Sequence, residues 1–186
     1  MLSLNDARWS SLTHAYGSAQ DIPPQLARLA LDPTTAHIAF REINLGALNH
    51  QSSVYTATYA AIPHMIDLAQ RMQPERRAEI LSWVGCSTAD ATLPDATPVP
   101  TDLKIAYDTA VAIAIRQLSE TLLCPFDSET TQWLLAAMAG LKGHSDLCHV
   151  ISNLNCLLAC QQCGAQTNPM RSNLNLGFSR RQHGRD

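Results

Sequence analysis

Aromatic residues are scarce in this 186-residue chain, at 5%, and charged residues reach only 16%. Strands draw on aromatic and β-branched side chains, so a sequence poor in aromatics and dominated by Ala and Leu favours close-packed helices. With 46% apolar residues, the composition excludes a disordered chain, which needs high net charge and few apolar groups. No run of about 18 apolar residues occurs, which excludes a membrane-spanning helix of the usual kind. The N-terminus, MLSLNDARWSSL, carries acid and base early and lacks an apolar stretch with a small-residue cleavage site. It does not read as a secretory signal, and the cytoplasm is the expected location. Neither GxGxxG nor a P-loop occurs among the eight glycines, so nucleotide binding through such loops has no support and no cofactor is expected.

The charge that is present is unevenly placed. Residues 1–170 hold nine Lys/Arg against fifteen Asp/Glu, a balance of −6. Residues 171–186 hold Arg171, Arg180, Arg181 and Arg185 against Asp186, a balance of +3. The body is acidic and the tail basic. An acidic body repels phosphate, and Lys/Arg cluster only at Arg71, Arg76 and Arg77 and in the tail. Helical-repeat binding of nucleic acid is therefore the alternative to a protein partner, whose basic surface would suit this body.

Punctuation along the chain is helical. Asp21 with Pro23 and Pro24 predicts a helix start, and Asp32-Pro33 its end. Thr34 or Thr35 caps a second helix carrying Phe40, Ile43 and Ala47. A third carries Ala57, Ala60 and Ala61, and Pro63 opens a fourth through Met65, Ile66 and Ala69. Pro74 starts a fifth that ends near Gly85. Residues 86–101 (CSTADATLPDATPVPT) lack any period and predict a mobile loop. From Asp102 to Leu123 two apolar stripes appear, as on a helix packed on two sides. Ser128 caps a helix through Trp133 and Leu141, and Ser145 opens one with Leu147, Val150, Leu154 and Leu158 at core positions. The expected architecture is all-α with about seven to eight helices: a domain over residues 1–167 and a polar basic tail over 168–186.

Two segments echo each other. Leu12-x-His14 followed by Ile22-Pro23-x-x-Leu26 parallels Leu48-x-His50 followed by Ile62-Pro63-x-x-Ile66, at offsets of 36 and 40 residues. A period near 40 with two helices per unit is that of HEAT- and armadillo-like repeats. The stretches from Trp9 to Pro23, with His14-Ala15-Tyr16-Gly17-Ser18, and from Leu48 to Pro63, with His50-Gln51-Ser52-x-Val54-Tyr55, carry a further likeness. Over roughly residues 9–70 the chain resembles a group of bacterial HEAT-like proteins, some of which resemble immunity proteins encoded beside secreted polymorphic toxins. That resemblance implies an α-α superhelix, and a protein partner such as a secreted toxin domain. One departure is Ser52, where the group's pattern has glycine after His-Gln; a positive φ there would alter the turn. Beyond residue 100 the likeness is to helical character alone.

Two constellations carry chemistry. His14 and His50 occupy equivalent positions, each followed by a tyrosine, Tyr16 and Tyr55. These four form a candidate partner-binding set; alternatively each imidazole bonds backbone at a helix end and fixes the turn. Cys156, Cys160 and Cys163 form C-x₃-C-x₂-C with His149 nearby, a candidate Cys₃His zinc set and the basis for a small metal-binding regulatory reading. The same spacing places three thiols on one side of a helix, where cysteine packs as a small apolar residue. Paired zinc motifs are absent, so no metal is expected. No local pattern joins a nucleophile to a base, and no catalytic residue is assigned; Glu75 and Glu79 flank Arg76 and Arg77 as a solvated face would. The reading is a non-enzymatic, protein-binding helical-repeat protein, of which an immunity protein is the most specific form.

Overall fold

A computed structural model of the chain describes residues 1–31, 47–154, 158–159 and 166–167. Six α-helices account for most of them: α1 Ile22–Leu31, α2 Thr56–Arg71, α3 Pro74–Asp90, α4 Thr101–Thr121, α5 Ser128–Leu141 and α6 Ser145–Ser152. The described strands are two residues each and pair as hairpins: β1 Thr13–His14 with β2 Gly17–Ser18, β3 Asn49–His50 with β4 Ser53–Val54, and β5 Leu158–Ala159 with β6 Gln166–Thr167. The helical character is as expected from composition. The helix expected from Thr34 or Thr35 lies outside the described residues, as do Cys156, Cys160 and Cys163.

The chain divides into two compact units, Met1–Ile151 and Ser152–Asp186. In the second unit the described residues after 154 are the β5–β6 hairpin, with Leu158 opposite Thr167 and Ala159 opposite Gln166. Leu158 is therefore a strand residue and not the end of a helix.

In the first unit the N-terminal segment is folded onto the core. Asp6 caps a 3₁₀ turn, Ala7–Ser11, by accepting from the Arg8 amide. Trp9 is buried and its Nε1 donates to the Ser3 carbonyl at 2.9 Å, while His64 Nε2 meets the Leu2 carbonyl at 2.8 Å. Burial lowers the His64 pKa below its ordinary value; the Leu2 carbonyl acts in the opposite sense.

α2 is one helix of 16 residues with Pro63 inside it, not two helices broken at that proline. A proline in a helix interior costs about 3 kcal/mol. Burial offsets it: the helix is covered on all sides from Ala57 to Ile66, and each of Ile62, Met65 and Ile66 contributes about 1.5–3 kcal/mol when fully buried. α3 runs on through Cys86 to Asp90, past the expected stop at Gly85. Gly85 serves contact rather than termination. A Cβ there would lie 2.4 Å from the Ala137 Cα, and one on Gly140 would lie 2.2 Å from the Gly85 carbonyl oxygen. The two glycines let the backbones of α3 and α5 meet, and this is the most extensive pair among the described helices.

The segment expected to be a mobile loop thus shrinks to residues 91–100, and it is tethered. Tyr59 Oη donates to the Thr97 carbonyl at 2.5 Å, and Ala96 and Val99 pack against the core. On α4 the buried stripe is Leu103, Tyr107, Ala110, Ala114, Leu118 and Thr121, with Ile105 at 81% exposure. Asp127, one residue before the expected Ser128, caps α5 through the Thr130 amide, and that bond holds its carboxyl below the usual range. α6 turns the face opposite to the expected one inward. Cys148 is buried and Ile151 packs beside it, while Leu147 and Val150 are exposed. An eight-residue helix has only two turns to bury, and the small residues Ala89, Ala136 and Ala139 line the site that receives Cys148.

Candidate functional site

The recurrent Leu-x-His motif folds as twin β-hairpins with the same register. His14 opposes Gly17 and Thr13 opposes Ser18; His50 opposes Ser53 and Asn49 opposes Val54. The hairpins lie side by side: the Ala15 amide donates to the Ala47 carbonyl at 2.9 Å, and the Thr13 amide to Thr56 Oγ1 at 2.8 Å. The Ile-Pro parts are not equivalent. Pro23 stands in the first turn of α1, but four extra residues after the second hairpin carry Pro63 into the middle of α2.

The two turns solve the same problem differently. In the first, the left-handed position falls on Gly17, at φ 127°. In the second, Gln51 at φ 52° and Ser52 at φ 61° both take left-handed geometry, as a two-residue hairpin turn of type I′ requires. Ser52 does occupy a positive-φ position, and the strain of non-glycine residues is stored in the turn.

Three of the four residues singled out in the sequence meet here. His14 is buried; its Nδ1 accepts from the Tyr16 amide at 3.0 Å, and its Nε2 faces Asp21 Oδ1 at 3.0 Å. An Nδ1 that accepts carries no proton, so Nε2–H is the donor to Asp21. The Tyr16 ring is 68% exposed and stands edge-on to both imidazoles, 6.1 Å from His14 and 5.9 Å from His50, at 68° and 69°. Tyr55 is set apart. It is the N-cap of α2, its amide donates to Thr58 Oγ1 at 2.9 Å, and among the described residues no ring contact joins it to the other three.

A second polar cluster escapes sequence inspection. Asp90, at 5% exposure, accepts from Asn49 Nδ2 at 2.8 Å and bonds His149 Nε2 at 2.9 Å. Asn49 also donates to Ser87 Oγ at 3.0 Å. His149 is thereby engaged by a buried carboxylate 59 residues away in the chain, a separation for which no spacing rule exists. Beside it the thiols of Cys86 and Cys148 lie 3.9 Å apart. Among the described residues no group of three or more His, Cys, Asp or Glu is arranged to hold a metal.

One apolar groove of about 470 Å³ runs between α2 and α4, lined by Pro63, Ile66, Ile105, Thr109, Ala110 and Ile113. Its carboxylates, Asp67 and Asp102, are paired with Arg71 and Arg8. Among the described residues no helix is long and apolar enough to cross a membrane. Comparison with family models, with curated proteins and with solved structures finds no match.

Proposed function

We propose that this chain is a HEAT-like helical-repeat protein that works by binding another protein, and that the twin hairpins form its contact surface. The observation that carries the reading is Tyr16, an exposed aromatic ring held in place by two imidazoles and by a backbone bond to one of them. A large amphipathic ring costs little entropy to immobilise when its orientation is already set, and such residues dominate binding energy at protein interfaces. The strained Gln51-Ser52 turn beside it supports the same surface, since backbone strain collects at binding sites. The acidic balance of residues 1–170 favours a basic partner and salt-sensitive association. The resemblance of residues 9–70 to HEAT-like proteins near toxin genes narrows this to an immunity-type inhibitor of a secreted toxin domain.

The test is to identify the genes flanking this one, to co-express and pull down any secreted protein they encode, and to repeat the assay with Tyr16→Ala. A stoichiometric complex, weakened at least tenfold by the substitution with the fold intact, is the expected result. If the chain neither binds nor neutralises that protein, the immunity reading is wrong. If it binds with Tyr16→Ala unchanged, the surface is wrong.

A further inference from the structure

We propose that Cys86 and Cys148 form a reversible dithiol–disulfide site, oxidised by a hydroperoxide, that pins α6 to α3. The two sulfurs are 3.9 Å apart, close to van der Waals contact, and come from different helices 62 residues apart in the chain. Closing to the roughly 2.05 Å of a disulfide asks for side-chain rotation and a small helix shift. The surroundings permit it, because the buried residues beside the pair, Ala89, Ala136 and Ala139, present only methyl groups, and the larger Ile151 packed against them is partly exposed. The helices are already in register at a neighbouring point: Asp90, one turn beyond Cys86, is bonded to His149, the residue after Cys148. That bond keeps the sulfurs facing each other while the pair is reduced.

Exposure assigns the roles. Cys86 is half-buried and reachable, whereas Cys148 is fully buried. Cys86 sulfur attacks the peroxide, an S–O bond forms as the O–O bond breaks, and the leaving oxygen departs with the thiol proton as water or an alcohol. Cys148 sulfur then attacks Cys86 sulfur; the S–S bond forms, the S–O bond breaks, and water leaves with the Cys148 proton. Two thiols supply the two electrons that reduce one peroxide. Cys124, half-buried after α4, has no such neighbour among the described cysteines.

The experiment uses the full chain and stands independently of the partner reading. The protein is reduced, treated with one equivalent of hydrogen peroxide, alkylated, digested with trypsin and chymotrypsin without reductant, and mapped by mass spectrometry. A Cys86–Cys148 link that dithiothreitol reverses is expected, with a thermal midpoint about 10 °C higher in the oxidised protein, as closure of a loop of this length implies. Cys124→Ser should leave both unchanged, while Cys86→Ser, which keeps the side-chain shape, and Cys148→Ala, which removes the buried sulfur without burying a hydroxyl, should lose both. Four results overturn the proposal: no link, a link from either sulfur predominantly to Cys124, Cys156, Cys160 or Cys163, Cys86 oxidised to its sulfinic acid with Cys148 alkylated, or a link without a rise in midpoint.

Discussion

Replacing Gly85 by alanine tests whether the contact of α3 and α5 is made by backbone. The added Cβ would lie 2.4 Å from both the Cα and the Cβ of Ala137 and 2.6 Å from its carbonyl oxygen. Carbon atoms in contact sit about 3.5–4.0 Å apart, so the overlap exceeds 1 Å by roughly a tenth or more. Two of the opposing atoms are backbone and the third is a methyl carbon, so no rotamer change relieves it and the helices must separate. Overpacking of this kind costs about 1–3 kcal/mol, and the rigid surroundings place it near the top. Alanine returns about 1 kcal/mol of helix propensity over glycine. The net loss is about 2 kcal/mol, which lowers the thermal midpoint by about 4–8 °C in a chain of this size. Urea denaturation followed by far-ultraviolet circular dichroism should show a lower midpoint at unchanged slope. Gly140→Ala should behave alike, and the double variant should lose less than the sum, because both open the same contact. A Gly85→Ala protein as stable as the parent would refute the close-contact reading, since propensity alone would then have decided the outcome.

Three further outcomes are expected. His64 has a folded pKa below its ordinary value, so the neutral ring is favoured in the fold; stability is complete above about pH 6.5 and falls as pH drops through the lowered pKa. The urea midpoint between pH 5 and 8 should therefore decline on the acid side in the parent and less so in His64→Gln; equal slopes would exclude His64 as the cause. Ser52→Gly should raise stability by about 0.5 kcal/mol, relief of the left-handed strain exceeding the entropy cost of glycine, and a lower thermal midpoint would contradict it. His14→Ala should cost about 1–3 kcal/mol by removing the acceptor of the Tyr16 amide and the donor to Asp21, whereas His50→Ala should cost under about 1 kcal/mol; denaturation of both, with reversed or equal costs, would refute the division.

Much of the helical content was legible because it rests on local signals. Pro74 marks the start of α3 and the two-sided stripe marks α4, each within a residue or two. What failed had a tertiary cause. Pro63 reads as a helix start because proline normally costs an interior hydrogen bond, and only burial of the whole surrounding helix makes it tolerable inside α2. Gly85 reads as a C-cap because its other use, admitting Ala137 of α5, depends on a residue 52 positions away. Leu147 and Val150 follow a helical period, but the inward face of α6 was chosen by the small pocket that accepts Cys148. Of the candidate site, His14, Tyr16 and His50 were legible because the motif recurs. Asp90, Asn49 and His149 were not, since a buried hydrogen-bond cluster built from three distant segments leaves no pattern in the sequence.

The recurrence of Leu-x-His does not make its two histidines equivalent, and the difference follows from the turns they precede. In the first hairpin the glycine supplies the left-handed residue, so no strain is stored, and the buried imidazole is free to act as a brace: it binds the Tyr16 amide on one side and Asp21 on the other. In the second hairpin two non-glycine residues take the left-handed geometry, and the energy that holds them comes from outside the turn. Asn49, at the start of that hairpin, is anchored by Asp90 and Ser87 of α3, and Thr58 of α2 bonds the Leu48 carbonyl. Those anchors fix the strands, which leaves the turn no other closure than the left-handed one. The half-exposed His50 ring is then presented to Tyr16 by a scaffold that it does not itself support. A brace and a presented ring are different roles, and a surface that needs one rigid exposed tyrosine requires one of each.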